Sequence, residues 1–137
     1  MEIKHVPLES VWKMRFEIMY PEHSIEMVKL PADEQGLHYG LYEGDILMSV
    51  ISLFVEEGKM QFRKFCTRVD QQGKGYGTTL LRHVFDVVLP AHQVAAIWCN
   101  ARTNAAALYE RFGMVRTERT YRQYGYDFVI MEKLLAA

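Results

Sequence analysis

The chain reads as an α/β protein, a mixed β-sheet flanked by helices, and two observations predict this. Lys59 to Val69 can form a strand. A glycine-rich turn follows, and the apolar residues then switch to helical spacing at Leu80, Leu81, Val84, Phe85 and Val88. A second β-rich run, Val94 to Ala101, completes a β-α-β unit. The other observation is that three β-rich runs joined by tight turns form an antiparallel meander, whose third strand is the first strand of this unit. A meander feeding a β-α-β unit produces a central mixed sheet with helices packed on it. The 137 residues suit one domain, 1–137, with one core.

Each element has its own local signal. Glu2 to Val6 is a short strand candidate. Glu9 to Tyr20 has helical spacing, with Val11, Trp12, Phe16 and Met19 as its apolar stripe, and Pro21 stops it. Glu22 to Gly36 has no sustained period. Ser24 to Val28 can make a helical turn that Pro31 ends, and a segment of this length often lines a site. Leu37 to Glu43, Ile46 to Glu56 and Met60 to Val69 are the meander strands, with turns at Glu43-Gly44-Asp45 and Glu57-Gly58-Lys59. The helix that follows runs from Gly75 to Leu89, before Pro90. Val94 to Ala101 is almost wholly apolar, as a central strand should be. Asn104 suits a helix N-cap, the helix runs from Ala105 to Phe112, and Gly113 follows as its C′ residue. Met114 to Arg122 and Tyr126 to Leu134 close the chain as a hairpin around Gln123-Tyr124-Gly125.

Composition narrows the function. A net charge of −1 argues against a general nucleic-acid binder. No apolar run approaches the ~20 residues of a membrane-spanning helix, and the N-terminal residues do not read as a signal peptide. Cys66 and Cys99 fall in strands and read as buried thiols in a reducing cytoplasm rather than as a disulfide or metal site. The five histidines are scattered without metal-ligand spacing.

The most informative stretch is Asp70-Gln71-Gln72-Gly73-Lys74-Gly75-Tyr76-Gly77-Thr78. It places a glycine-rich turn at a helix N-terminus, where unpaired amides and the positive dipole end suit an anion such as phosphate. A plain flexible turn is the other reading. A Walker loop does not fit, because Lys74 precedes Gly75 rather than following the last glycine. A dinucleotide fingerprint does not fit either, since the order here is G-x-G-x-G in mid-chain.

What does fit is Gln72-x-x-Gly75-x-Gly77, which resembles the acetyl-CoA loop of the GCN5-related N-acetyltransferases, the GNAT family. Residues Trp98 to Met114 resemble that family's strand–helix pattern Asn-Ala-Arg-x-x-Ala-x-x-x-Tyr-x-x-x-Gly-Phe, with Met114 in place of the usual Phe. The two motifs stand in the family's order and spacing. Within the family, the surroundings of Arg63 and Arg102 and the helix containing Trp12 to Pro21 resemble the branch of glyphosate N-acetyltransferase. That branch has an arginine where this chain has Tyr20 and a histidine where it has Phe128.

The resemblance implies a GNAT acyl-CoA N-acyltransferase fold. It implies a cytoplasmic enzyme that moves acetyl from acetyl-CoA to a primary amine of a small molecule, by direct attack in a ternary complex and with no metal. The amides of Gly73, Lys74, Gly75, Tyr76, Gly77 and Thr78, with Gln72, would hold the pyrophosphate. The backbone of Phe65, Cys66 and Thr67 would pair with pantetheine, on a strand that carries a bulge in this family. Asn104 would reach pantetheine as well as cap its helix. Tyr109, by spacing a core aromatic, would be the phenol that protonates the departing thiolate. Arg63 and Arg102 either pair with nearby acids or bind an acidic acceptor. His38 is a weak candidate base, and the base is otherwise unassigned. The competing class is a non-catalytic acyl-CoA-binding module on the same fold. A homodimer is compatible with either.

Overall fold

The computed structural model describes residues 1–135. Seven strands form one sheet in the order β1-β2-β3-β4-β5-β7-β6. They are β1 (Glu2–His5), β2 (Leu37–Glu43), β3 (Ile46–Glu56), β4 (Lys59–Thr67), β5 (Ala96–Arg102), β6 (Val115–Gln123) and β7 (Tyr126–Leu134). All neighbours are antiparallel except β4 and β5, the two strands of the β-α-β unit. The meander turn at Glu57-Gly58 and the closing turn at Tyr124-Gly125 both hold two consecutive residues at positive φ. That geometry matches the right-handed twist of paired strands, so both hairpins are tight.

The helices are α1 (Leu8–Met19), α2 (Tyr76–His83) and α3 (Ala106–Glu110). Leu80 and Leu81 of α2 and Ala106 and Tyr109 of α3 pack with Leu53, Met60, Phe62, Ile97 and Met131 of the sheet. A separate cluster holds Val11 and Met14 of α1 against Leu47, Val50 and Cys66.

Three expectations need correction. The buried face of α1 is Val11, Met14 and Arg15, whereas Trp12, Phe16 and Met19 are only half-buried. A charged residue displaces the apolar stripe because its charge is matched by an aspartate, described below. The helix expected from Gly75 to Leu89 is α only as far as His83. It continues as a π stretch, Val84–Val88, in which the Leu89 amide donates to the Val84 carbonyl, and then as a 3₁₀ turn at Leu89–Ala91. A π turn aligns residues i and i+5, and Val84 and Leu89 are both buried. Asn104 is not an N-cap. It lies in a 3₁₀ turn, Thr103–Ala105, and α3 starts after Ala105 with no side-chain cap.

Candidate active site

The site follows from a failure of strand pairing. β4 and β5 are paired only from Lys59–Ala96 to Gln61–Trp98. Beyond that point β4 stays with β3 as far as Thr67, and β5 stays with β7 as far as Arg102. The two strands diverge, and the gap opens into a cleft of about 740 Å³. Clefts of about 300–1,000 Å³ are typical of small-molecule and cofactor sites. Among the residues that line this one there is no aspartate, glutamate or histidine, and the three cationic side chains are Arg63, Lys64 and Arg102.

The glycine-rich turn closes one end of the cleft. Val69–Gln71 forms a 3₁₀ turn, so β4 stops two residues earlier than the sequence suggests. Gln72 Nε2 donates to the Thr67 carbonyl at 3.1 Å, which ties the turn to the end of β4. Gly75, at φ 86, is the N-cap residue of α2 and brings no side chain to the cap. A β-carbon there would be strained by the backbone although nothing stands within 4 Å of it. The first backbone bond of the helix runs from the Thr79 amide to the Gly75 carbonyl. Among the described residues no group accepts from the amides of Gly73 to Thr78. These orphan donors form an open cradle for an anion at the dipole's positive end. Gly77 faces Thr67 and Phe65, whose atoms lie 3.0 and 3.1 Å from the position of a β-carbon. Lys74 is exposed and its Nζ donates to Gln71 Oε1 at 3.1 Å.

The middle of β4 carries a bulge. Ser52 pairs with Arg63 and Val50 with Cys66, so Ile51 opposes both Lys64 and Phe65. Lys64 absorbs the extra residue at φ 53. A non-glycine residue in that region costs roughly 1–2 kcal/mol, and such strain collects at functional sites. The bulge re-aims the exposed edge of β4 where β5 no longer pairs with it. Lys64 Nζ lies 3.4 Å from Tyr20 Oη and 4.9 Å from the centre of that ring. Burial, then the neighbouring Arg63, Arg15 and Arg102, press the Lys64 ammonium down to about 8.

Arg63 and Arg102, on β4 and β5, flank the cleft and neither has a salt-bridge partner among the described residues. The Arg102 Cζ lies over the Tyr126 ring, 4.0 Å from its centre. Tyr20, Tyr121, Tyr124, Tyr126 and Phe128 line the same end, and Tyr121 stacks on Phe128 at 5.0 Å.

Tyr109 is buried on α3, set edge-on to Phe62 at 5.2 Å, and it lines the cleft. Its hydroxyl has no hydrogen-bond partner among the described residues. Burial raises its pKa, the neighbouring Cys99 adds to this, and Arg102 opposes it. The phenol therefore stays protonated at neutral pH. Asn104 and Thr67 also border the cleft. Burial pushes both thiols up to about 12, so neither Cys66 nor Cys99 is a thiolate near neutrality.

His38 does not face the cleft. It is buried, with Nδ1 2.7 Å from Ser52 Oγ and Nε2 2.8 Å from the Asp33 carbonyl oxygen. It belongs to a network that the sequence reading missed. Fully buried Arg15 donates to both Asp33 carboxylate oxygens, to the Val28 carbonyl and to Ser52 Oγ. Trp12 Nε1 and the Leu30 amide also donate to Asp33. Burial alone would raise the Asp33 pKa, but the bonds from Arg15, Leu30 and Trp12 outweigh it and hold the carboxyl at about 2. The network pins the 22–36 segment, whose Met27 and Leu30 line the cleft. Val11, Met14, Arg15 and Ile18 repeat at helical spacing, so an arginine on a buried stripe was a readable signal. Nothing in sequence marked Lys64, because its position depends on the bulge.

Among the described residues no three His, Cys, Asp or Glu side chains are grouped to hold a metal ion, and no helix is long and apolar enough to cross a membrane. Residues 5–135 match the family model described as an acetyltransferase (GNAT) domain. The chain is 29% identical over 122 residues to the uncharacterized N-acetyltransferase YitI of Bacillus subtilis, covering 82% of this chain and 81% of that one. It superposes on a putative N-acetyltransferase from Lactobacillus plantarum with a TM-score of 0.84 at 22% identity, covering 98% of each chain. It also superposes on an aminoglycoside 6′-N-acetyltransferase complexed with coenzyme A, with a TM-score of 0.78 at 11% identity, covering 98% of this chain and 97% of that one. The match over nearly the whole chain and the shared fold show that the chain belongs to the GNAT family of N-acetyltransferases.

Proposed function

We propose that the enzyme transfers acetyl from acetyl-CoA to the primary amine of a small acceptor that also carries an anionic group. The observation that carries this reading is the charge of the cleft: among the described residues Arg63 and Arg102 have no acidic partner, and none of those lining the wall is a carboxylate. A guanidinium matches a carboxylate or phosphonate through paired, charge-assisted hydrogen bonds. An acceptor with only positive charge would meet repulsion there.

Acetyl-CoA supplies an activated acetyl thioester. The free amides from Gly73 to Thr78 fit its pyrophosphate, and Gln72 braces that loop. The unpaired edge of β4 at Phe65, Cys66 and Thr67 fits the pantetheine arm as an added strand, with Asn104 across the cleft. Tyr109, buried and protonated, is the donor we assign to the leaving sulfur. Arg63 and Arg102 orient the acceptor. Thioester consumption with a panel of primary amines, graded from cationic through neutral to anionic, tests the reading. The anionic amines are expected to turn over best. Equal or better turnover of polyamines would reject the anionic acceptor, and turnover of none would reject the acetyl-transfer assignment.

A further inference from the structure

We propose that Lys64 is the base that takes a proton from the acceptor's ammonium before transfer, a role that rests on the acetyl-transfer reading above. A primary amine reacts only as the free base, and at neutral pH most of it is ammonium. The walls of the cleft offer few groups able to accept that proton. Among the described residues they hold no carboxylate and no imidazole. Both thiols are pushed up to about 12 by burial, and burial also raises Tyr109 and Tyr121. His38 is committed to Ser52 and Asp33 inside the fold.

Lys64 differs from all of these. It sits on the bulge of β4, between Arg63 on one side and Phe65 and Cys66 on the other, and its φ of 53 turns it out of the regular pleat. It lines the cleft, and its Nζ is steadied by the hydroxyl and ring of Tyr20. Arg63 and Cys66 on its own strand, Arg15 and Tyr20 from the first helix and its end, Arg102 from β5 and Tyr124 beyond Tyr20 make up its charged and titratable surroundings. The Tyr20 hydroxyl and ring favour the ammonium, but at 3.4 and 4.9 Å they do not offset burial and the arginines. Burial and the three arginines bring the ammonium down to about 8, so a usable fraction is neutral at physiological pH. A base is most effective when its pKa lies near the working pH.

The acceptor itself favours the transfer. Its anionic group beside Arg63 and Arg102 cancels part of the field that repels a proton from Lys64. This offsets the repulsion that the arriving ammonium itself adds at Nζ. One N–H bond of the ammonium breaks, its electron pair stays on nitrogen, and the proton joins the Nζ lone pair. That freed pair forms the C–N bond as the C–S bond breaks. Tyr109 gives its proton to sulfur and regains one from the second N–H of the acceptor nitrogen. Lys64 then loses its proton to solvent.

Two measurements test this. The pH profile of kcat/KM, taken with the anionic amine that turns over best, should rise and level off near the Lys64 value of about 8. Lys64→Met should lower kcat at pH 7 by about 10²-fold or more. Its rate should also keep climbing past pH 8 toward the acceptor's own pKa, since only the free amine then reacts. Lys64→Arg keeps the charge but cannot release a proton, so it should behave like Lys64→Met. A Lys64→Arg enzyme near full rate, or a plateau unchanged in Lys64→Met, would overturn the role while leaving acetyl transfer intact. The second measurement needs no acceptor. In the protein carrying isotope-labelled dimethyl-lysines, the resonance missing from Lys64→Met should titrate well below the surface lysines. Titration together with them would overturn the proposal.

Discussion

The two ends of the cleft are built from different materials. The glycine-rich end is backbone: orphan amides from Gly73 to Thr78, with positive φ at Gly73 and Gly75 and no side chain to fill the cradle. The basic, aromatic end is side chain: Tyr20, Arg63, Lys64, Arg102, Tyr121 and Tyr126 arrive from five separate parts of the chain. A backbone cradle accepts one kind of group in whatever protein uses it. A wall of side chains can be exchanged residue by residue without disturbing the sheet. The first suits a shared coenzyme and the second a particular acceptor.

This contrast predicts where single substitutions act. The largest effect is expected at the backbone end. Gly75→Glu forces a residue with a β-carbon into φ 86, and Gly77→Glu drives a side chain toward Phe65 and Thr67 at about 3 Å. Both bring negative charge to the donors of an anion. Bonds to charged groups contribute about 1.5–3 kcal/mol each, so loss of several should leave no measurable acetyl-CoA binding by calorimetry while the folded thermal transition persists. Parent-like binding in both variants would move the coenzyme elsewhere.

Tyr109→Phe acts between the two ends. The ring and its edge-on contact with Phe62 remain, and the hydroxyl that is lost has no hydrogen-bond partner among the described residues. Stability should change little. General acid catalysis contributes about 10²–10⁴ in rate, so kcat should fall by that order with acetyl-CoA affinity unchanged. Nearly full kcat, with chemistry shown to limit the rate, would make Tyr109 a packing residue.

Asp33→Asn tests the support of the acceptor end. It leaves the fully buried Arg15 guanidinium without its counter-charge. Removing one partner of a buried pair typically costs about 3–5 kcal/mol, to be read as a lower urea midpoint. The parent protein should also show an acid-linked loss. The folded-state pKa of Asp33 is depressed from 3.8 to about 2, so its stabilisation is present above 3.8 and is lost as pH falls toward 2. The Asn variant should lack that component. An unchanged midpoint would show that Arg15 is satisfied without Asp33.

The same contrast explains what could be read from sequence. Glycine spacing and the strand-to-helix switch are local, so Gly75, Gly77 and the β-α-β unit were legible. The meander strands Leu37–Glu43 and Ile46–Glu56 were legible for the same reason, as β-rich runs between glycine turns. Lys64 was not, because its placement depends on how β4 slips against β3. Nor was the Arg15–Asp33 pair, whose members are joined only by packing of a segment without period. His38 shows the opposite error: a polar residue on a strand near the cleft faces inward to serve that same pair.

The smallest effect is expected from single arginines at the acceptor end. Arg63→Ala and Arg102→Ala each remove one cation from a group of three, and the remaining two still attract an anion. Losing one hydrogen bond to a charged group costs about 1.5–3 kcal/mol, so KM for an anionic acceptor should rise by roughly 10- to 150-fold. KM for acetyl-CoA should stay put, because the cradle proposed for the coenzyme lies at the other end. The two arginines should differ in kind. Arg102 sits over the Tyr126 ring, so Arg102→Lys loses both the guanidinium contact with the ring and the paired donors and should recover little. Arg63 has no such platform, and Arg63→Lys should recover more of the affinity. Rising salt should weaken acceptor binding in the parent and less so in either Ala variant. Acceptor KM unmoved in both Ala variants would make the two arginines parts of the scaffold and leave the anionic acceptor without support.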